Sequence, residues 1–264
     1  MKIGIFYICT GKYNIFWDTF YKSSEQFFLP GIEKQYFVFT DSEEIPFEKH
    51  IKTYYEKPKG FPLDSLLRFD MFLRIKEDTR DCDYLFFFNS NVEFNQTITE
   101  EIFIPSAEEN NLLAVLHPGY FNKKPFFLPI EKRKVSAAYI PYKKNTDYHY
   151  FMGSSNGGSR DAYYKLIQVC HDQIHTDIDN GVMAVYHDES HINKYLHERK
   201  IKMLPPSFGH PEGNPTEIQP YITILNKMRH GGKYFDKLPK KSYGKRIFLL
   251  IKRTYRSILW VMNL

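Results

Sequence analysis

The 264-residue sequence contains no long apolar run, and its start shows no signal-peptide pattern: the chain passes almost at once into a strand-like segment, Ile3 to Ile8. A membrane-spanning helix needs about 20 predominantly apolar residues in a row, so the expectation is a protein made and kept in a reducing cytoplasm. Cysteine is scarce and odd in number, with Cys9, Cys82 and Cys170 far apart. That spacing argues against a disulfide framework or a cysteine zinc site and predicts buried, reduced thiols. Acid residues are nearly missing from the far end. From Lys227 onward the chain carries eleven Lys and Arg residues, among them Lys233 and Lys237, against Asp236 as the only acid. The net charge of +5 is therefore unevenly spread, and the basic end suggests an anionic partner such as phosphate, nucleic acid or a membrane surface.

What the chain has in quantity is aromatic side chains, 17% of residues with 20 Tyr and 23 Phe. Most such rings belong to core and half-buried surface, and some can form platforms for sugars or bases. Strand and helix patterns alternate from the start to about residue 204, without an internal repeat, which predicts one α/β domain. Lys2 to Tyr7 and Gln35 to Phe39 read as strands, separated by helical spacing over Ile15 to Phe28 that stops at Pro30-Gly31. Leu63 to Ile75 reads as a helix, with Asp64 a cap or first-turn acid. Tyr84 to Phe88 is apolar on both faces and ends abruptly at Asn89-Ser90-Asn91, as a central strand covered on both sides does. Ile98 to Asn110 reads as helical apart from Pro105, and Leu112 to Leu116 as a strand. Residues 121–147 have no period, and long loops of that kind tend to be functional or disordered. Helical patterns return at Arg160 to His175 and Ile192 to Arg199, followed by a short strand, Ile201 to Leu204. The tail, Ile247 to Leu264, is a basic amphipathic helix of the kind that lies in a membrane interface, or else packs back on the domain or on a partner. Its apolar face fits lipid better than nucleic acid.

Four polar stretches fall at strand ends or in loops. Asn89-Ser90-Asn91 reads as a turn or as a ligand site, because ligands of open α/β sheets sit beyond the carboxyl ends of strands. His117-Pro118-Gly119-Tyr120 follows another strand. Gly153 to Ser159 reads as a glycine-rich turn opening a helix, where backbone N–H groups approach an anion or a sugar, although it matches neither the P-loop nor the dinucleotide fingerprint. His187-Asp188-Glu189-Ser190-His191 packs two carboxylates and two imidazoles together, in a pattern that is not the helical zinc site with a glutamate base; Asp188 or Ser190 reads equally as a cap.

The segment from His187 to Leu196 resembles the hallmark of glycosyltransferase family 6, and the resemblance is collinear from residue 3 to about 205. It includes Phe6-Tyr7-Ile8 with Lys12-Tyr13, Tyr36 to Asp41, His117 to Tyr120, Ala138 to Pro141, Tyr150 to Gly153 with Gly157 to Ser159, and Asp179 to Gly181 with Ala184-Val185. The resemblance implies a GT-A fold, a single Rossmann-like nucleotide-sugar domain with a mixed central sheet, set over residues 1–246; the tail helix, 247–264, lies outside the resemblance. It implies retaining transfer from a UDP-sugar to the 3-hydroxyl of a galactoside, an H-antigen-like fucosylated one being expected. By position, Phe6, Ile8 and Tyr13 would hold uracil and ribose, Arg68 would face the diphosphate, and His117 would contact the acceptor. Met152, Gly153 and Ser154 would sort donor sugars, Asp188 would bind donor hydroxyls, and Glu189 would sit at the reacting carbon, also facing the acceptor. Residues 227–246 would form a mobile closure over the diphosphate.

The chain departs from the family at Asn89-Ser90-Asn91, where metal-dependent members have Asp-x-Asp. Hard divalent cations want anionic oxygens, whereas neutral amides still hydrogen-bond phosphate and ribose. The expectation is catalysis with no metal and no other cofactor, the leaving charge being met by Arg68, Lys233 and Lys237. Glu189 has two open roles, a covalent nucleophile or a stabiliser of an oxocarbenium-like ion. The small Ser154 leaves room for an N-acetyl group while the bulkier Met152 argues for galactose; N-acetylgalactosamine is the expected donor. The rival reading is a glycan- or UDP-binding protein that kept the fold and lost the chemistry.

Overall fold

The computed structural model describes residues 1–264 apart from 47, 233, 234, 236–242 and 264. Seven strands form a mixed central sheet: β1 (Lys2–Ile8), β2 (Glu33–Thr40), β3 (Ile51–Tyr55), β4 (Tyr84–Asn89), β6 (Leu112–Leu116), β7 (Phe151–Ser159) and β8 (Lys202–Leu204), ordered β3-β2-β1-β4-β7-β6-β8. All run parallel except β7, which is antiparallel to both of its neighbours. A second sheet of three short strands joins β5 (Val92–Phe94), β10 (Ile222–Ile224) and β9 (His210–Pro211). This is the mixed α/β architecture expected for a GT-A-like glycosyltransferase domain.

Helices cover both faces of the main sheet. Helix α1 (Trp17–Phe27) lies over Ile5, Tyr7, Phe86 and Phe88, while α3 (Arg68–Arg74), α5 (Arg160–Asp179) and α6 (His187–Leu196) cover Phe6, Leu85 and Phe87. The apolar run of β4 therefore supplies both cores, which is why it shows no alternation. All three cysteines are free and buried, as expected.

Three expectations need correction. The helix over Ile98 to Asn110 shrinks to α4 (Glu100–Phe103) and a 3-10 turn at Ala107–Glu109 capped by Ser106. Ile104 takes an extended backbone because the proline that follows disfavours the helical region. The helix from Leu63 is broken at Leu67 (φ −96°, ψ 16°) into α2 (Leu63–Leu66) and α3. The third correction is the largest: Gly153 to Ser159 is no turn but the body of β7. A Cβ on Gly157 would sit 2.3 Å from the Leu85 carbonyl oxygen, and one on Gly158 2.1 Å from that of Asn111. Those glycines bring neighbouring backbones close, and their N–H groups belong to the strand ladder.

Two helices follow the main domain, α7 (Lys227–Gly231) and the tail helix α8 (Tyr243–Val261). The tail helix packs back through Trp260, which is buried with Ile130, Ile140 and Tyr148 and donates from Nε1 to the Ile140 carbonyl at 2.6 Å. Phe248, Leu250, Ile251 and Tyr255 stay exposed. Among the described residues no helix is long and apolar enough to cross a membrane.

Candidate active site

A cleft of about 480 Å³ opens at the carboxyl ends of β1 and β4, where open α/β sheets bind ligands. Ile8, Tyr13, Arg68, Asn89 and Ser90 all line it, together with Lys12, Phe61 and Lys227. Lys227 Nζ lies 4.6 Å from the centre of the Tyr13 ring and donates to its hydroxyl at 3.2 Å. Asn91 does not line the cleft. Its side-chain amide donates to the Leu225 carbonyl at 2.7 Å and ties the strand end to the small sheet. Phe6 is also corrected: its ring is fully buried and stacked on Phe72 at 4.3 Å, so of the two residues on that face of β1 only Ile8, at the strand end, reaches the cleft. Lys233 and Lys237 lie outside the described residues.

Arg68 forms the inner wall. Its guanidinium is buried, rests 4.3 Å over the Phe87 ring, donates from Nη1 to the Gly153 carbonyl at 2.8 Å, and places Nη2 3.0 Å from Asp188 Oδ2. That last contact is an ion pair by distance, without the angle of a good hydrogen bond. Helix α6 was expected to begin after the His-Asp-Glu-Ser-His segment; instead it begins at His187, which puts Asp188 and Glu189 in its first turn. Carboxylates at a helix N-terminus interact favourably with the macrodipole. His187 itself has φ +51°, an uncommon left-handed backbone of the kind that clusters at functional sites.

Glu189 is held at both oxygens. Tyr150 donates its hydroxyl to Oε1 at 2.5 Å, and the Gly153 amide donates to Oε2 at 2.6 Å. Burial nevertheless pushes the Glu189 carboxyl up to about 7, against the pull of those two donors, with the neighbouring Asp188 charge adding to the rise. Burial also raises Asp188, opposed by Arg68. Asn193 fixes the helix to β7: its Oδ1 accepts from the Phe151 amide, and its Nδ2 donates to the carbonyls of Phe151 and Glu189. Strand β7 detours at this point, since Ala114 to Leu116 on β6 spans the same stretch as Phe151 to Asn156 on β7. Such bulges re-aim side chains near sites. Gly153 is at the detour, and a Cβ there would stand 3.3 Å from Glu189 Oε2.

Met152 does not face this centre; its sulfur packs against Gly209 in the opposite core. Ser154 is buried, and its hydroxyl has no hydrogen-bond partner among the described residues. His191 is buried 3.6 Å from Asp177, and burial pushes its imidazole down to about 4, so it is a neutral core residue. His117 lies near Glu189 through Tyr150, its ring 5.8 Å from that of Tyr150 and 4.8 Å from that of Tyr120. Burial lowers the His117 imidazole below its ordinary value. On the far side, Tyr186 packs on Tyr150 and accepts a hydrogen bond from Arg253 of α8 at 3.0 Å. Tyr150 was part of a matched motif without a role, and Lys227 was marked only as the first residue of the basic closure segment.

The family model for glycosyltransferase family 6 matches residues 1–219. The chain is 38% identical over 231 residues to the O-antigen biosynthesis glycosyltransferase WbnI of Escherichia coli, covering 87% of this chain and 96% of that one. It is 31% identical over 218 residues to globoside alpha-1,3-N-acetylgalactosaminyltransferase 1 of Gallus gallus, covering 79% of this chain and 61% of the relative. Histo-blood group ABO system transferase 2 of Rattus norvegicus is 28% identical over 238 residues, with 86% of this chain and 68% of the relative covered.

Proposed function

The chain belongs to glycosyltransferase family 6, and from that premise we propose that it transfers N-acetylgalactosamine from a UDP-sugar, with retention, in α-1,3 linkage to an H-antigen-like fucosylated galactoside. The observation that carries this is the placement of Glu189: a carboxylate fixed at both oxygens, next to Asp188, which pairs with the Arg68 that lines the cleft. In this reading Ile8 and Tyr13 cradle the nucleoside, and Asn89 and Ser90 hydrogen-bond phosphate or ribose. Arg68, Lys12 and Lys227 oppose the charge that develops on departing UDP. Asp188 takes donor-sugar hydroxyls, and His117 with Tyr120 and Tyr186 forms the acceptor side. The bulky Met152 was the argument for galactose, and its packing against Gly209 removes it from the donor side. The small side chain of Ser154 beside Gly153 favours the N-acetyl sugar.

The cleft does not fit a divalent metal. Asp64 is the one carboxylate among its described lining residues, and its Oδ1 already accepts from the Lys59 amide at 2.6 Å. We therefore place no metal in the transfer. One assay tests the whole reading: both UDP-sugars against a fucosylated galactoside, with product linkage analysis, in excess EDTA and with added Mn²⁺. The expected product is α-1,3-linked N-acetylgalactosamine at rates equal within about twofold in the two conditions. Activity lost to EDTA and restored by Mn²⁺ would refute the metal-free mechanism, and a galactose product the donor assignment.

The exposed apolar ridge of α8, with Lys252 beside it, supports peripheral contact with an anionic membrane. The chain is expected to sediment with anionic but not neutral vesicles, less so at high salt. Equal recovery with both lipid types would remove this contact.

A further inference from the structure

Away from the cleft, two helices that pack together present a nitrogen-rich cluster. His171 and His175 stand one turn apart on α5, and Asp70 faces them from α3. His175 Nε2 is 2.8 Å and His171 Nε2 3.2 Å from the same oxygen, Asp70 Oδ1. One ligand atom from each of the three residues lies within 4.8 Å of the others. Ligands at about 2.1 Å around a tetrahedral zinc ion stand about 3.4 Å apart, so only small side-chain adjustments separate this cluster from a coordination site.

A second observation concerns His171. Its other nitrogen, Nδ1, is 2.9 Å from Asp172 Oδ1, and Asp172 is itself held by the Gln168 amide at 2.9 Å. Donation of Nδ1–H to Asp172 leaves the ring's lone pair on Nε2, the nitrogen that faces Asp70, as in the carboxylate–histidine–metal arrangement that orients ligand imidazoles.

We propose that Asp70, His171 and His175 form a structural site for a zinc-class transition ion, with water completing the coordination. Two imidazoles and one carboxylate suit such an ion better than calcium or magnesium, which want oxygen ligands. None of the three residues lines the cleft. The ion would cross-link α3 to α5, and α3 begins with Arg68, so its effect is on the stability of the wall that Arg68 builds.

The test uses tag-free full-length protein stripped with EDTA, then titrated with Zn²⁺ by calorimetry and with Co²⁺ by visible absorption. One equivalent should bind, Co²⁺ should give the intense bands of low-coordinate nitrogen ligation, and Zn²⁺ should raise the unfolding temperature. The paired substitution His171→Ala with His175→Ala should abolish all three effects, its folding being checked by circular dichroism. Asp172→Asn should weaken binding about tenfold without changing the stoichiometry. Absence of saturable binding, or equal Zn²⁺ affinity in the double variant, would overturn the site. The readouts are binding and unfolding, so their failure leaves the transfer reading untouched, and the reverse holds.

Discussion

Glu189→Gln is expected to lower sugar transfer by at least about 10³-fold, the scale of removing a group aimed at charge that develops in a transition state. UDP should still bind nearly as it does to the unaltered enzyme. The reason is spatial: the proposed nucleotide side of the cleft is lined by Ile8, Tyr13, Asn89 and Ser90, while Glu189 lies beyond Arg68, among Tyr150, Gly153 and Asp188. Glutamine keeps the size and one acceptor, but loses the charge that either a covalent nucleophile or an ion stabiliser requires. The unaltered enzyme adds a second signature. Burial lifts the Glu189 carboxyl to about 7, so the ionised form is the minority below that pH and dominates above it. The value of kcat/KM, which reports groups of the free enzyme, should rise about tenfold per pH unit below 7 and level off above. A near-normal rate in the Gln variant, measured by product formation, would remove Glu189 from the reaction.

Arg68→Met should cost the most stability of any single change at the site, about 3–5 kcal/mol by denaturant unfolding, the usual result of stripping one partner from a buried ion pair. Methionine fills much of the same space over Phe87. It leaves Asp188 buried without a counter-charge, however, and takes the Nη1 donor from the Gly153 carbonyl. The pH dependence follows from Asp188, whose folded-state carboxyl is already raised by burial and loses Arg68's opposing pull in the variant. Between the unfolded and folded pKa values the native state holds the extra proton, so stability falls as pH rises. The deficit should therefore be larger at neutral pH than in mild acid. Adding Asp188→Asn removes the stranded charge and should recover a large part of the stability, giving a coupling of up to about 3 kcal/mol in the double-mutant cycle, without recovering transfer. A single variant as stable as the unaltered protein would show that Arg68 does not hold Asp188.

The sheet was legible wherever burial on both faces left an uninterrupted apolar run, as at Tyr84 to Phe88 and Leu112 to Leu116. Strand β7 was not, because its glycines and serines carry turn chemistry by local propensity. Their purpose is tertiary, to clear the backbones of β4 and β6, and no local window records that. The two- and three-residue strands of the small sheet are too short to show a period. At the site, Asp188 and Glu189 were found through a motif, while Phe6 was misplaced for a physical reason. Phe6 and Ile8 share a face of β1, and what separates core from cleft is depth along the strand, where the cover from Phe72 ends. Asn91 likewise looked equivalent to Asn89; its partner, Leu225, lies 134 residues away.

The docking of α8 bears on how an acceptor reaches this enzyme. Trp260 fixes the helix against the loop that ends at Tyr150, and Arg253 reaches Tyr186 on the proposed acceptor side. If the ridge of Phe248, Ile251 and Tyr255 rests on lipid and the acceptor is carried in that lipid, the proposed acceptor entrance is held next to that surface, and the search for acceptor becomes two-dimensional. Half-saturation is then set by acceptor molecules per unit of membrane area, so diluting acceptor within the lipid slows turnover, while adding more vesicles of the same composition leaves it nearly unchanged.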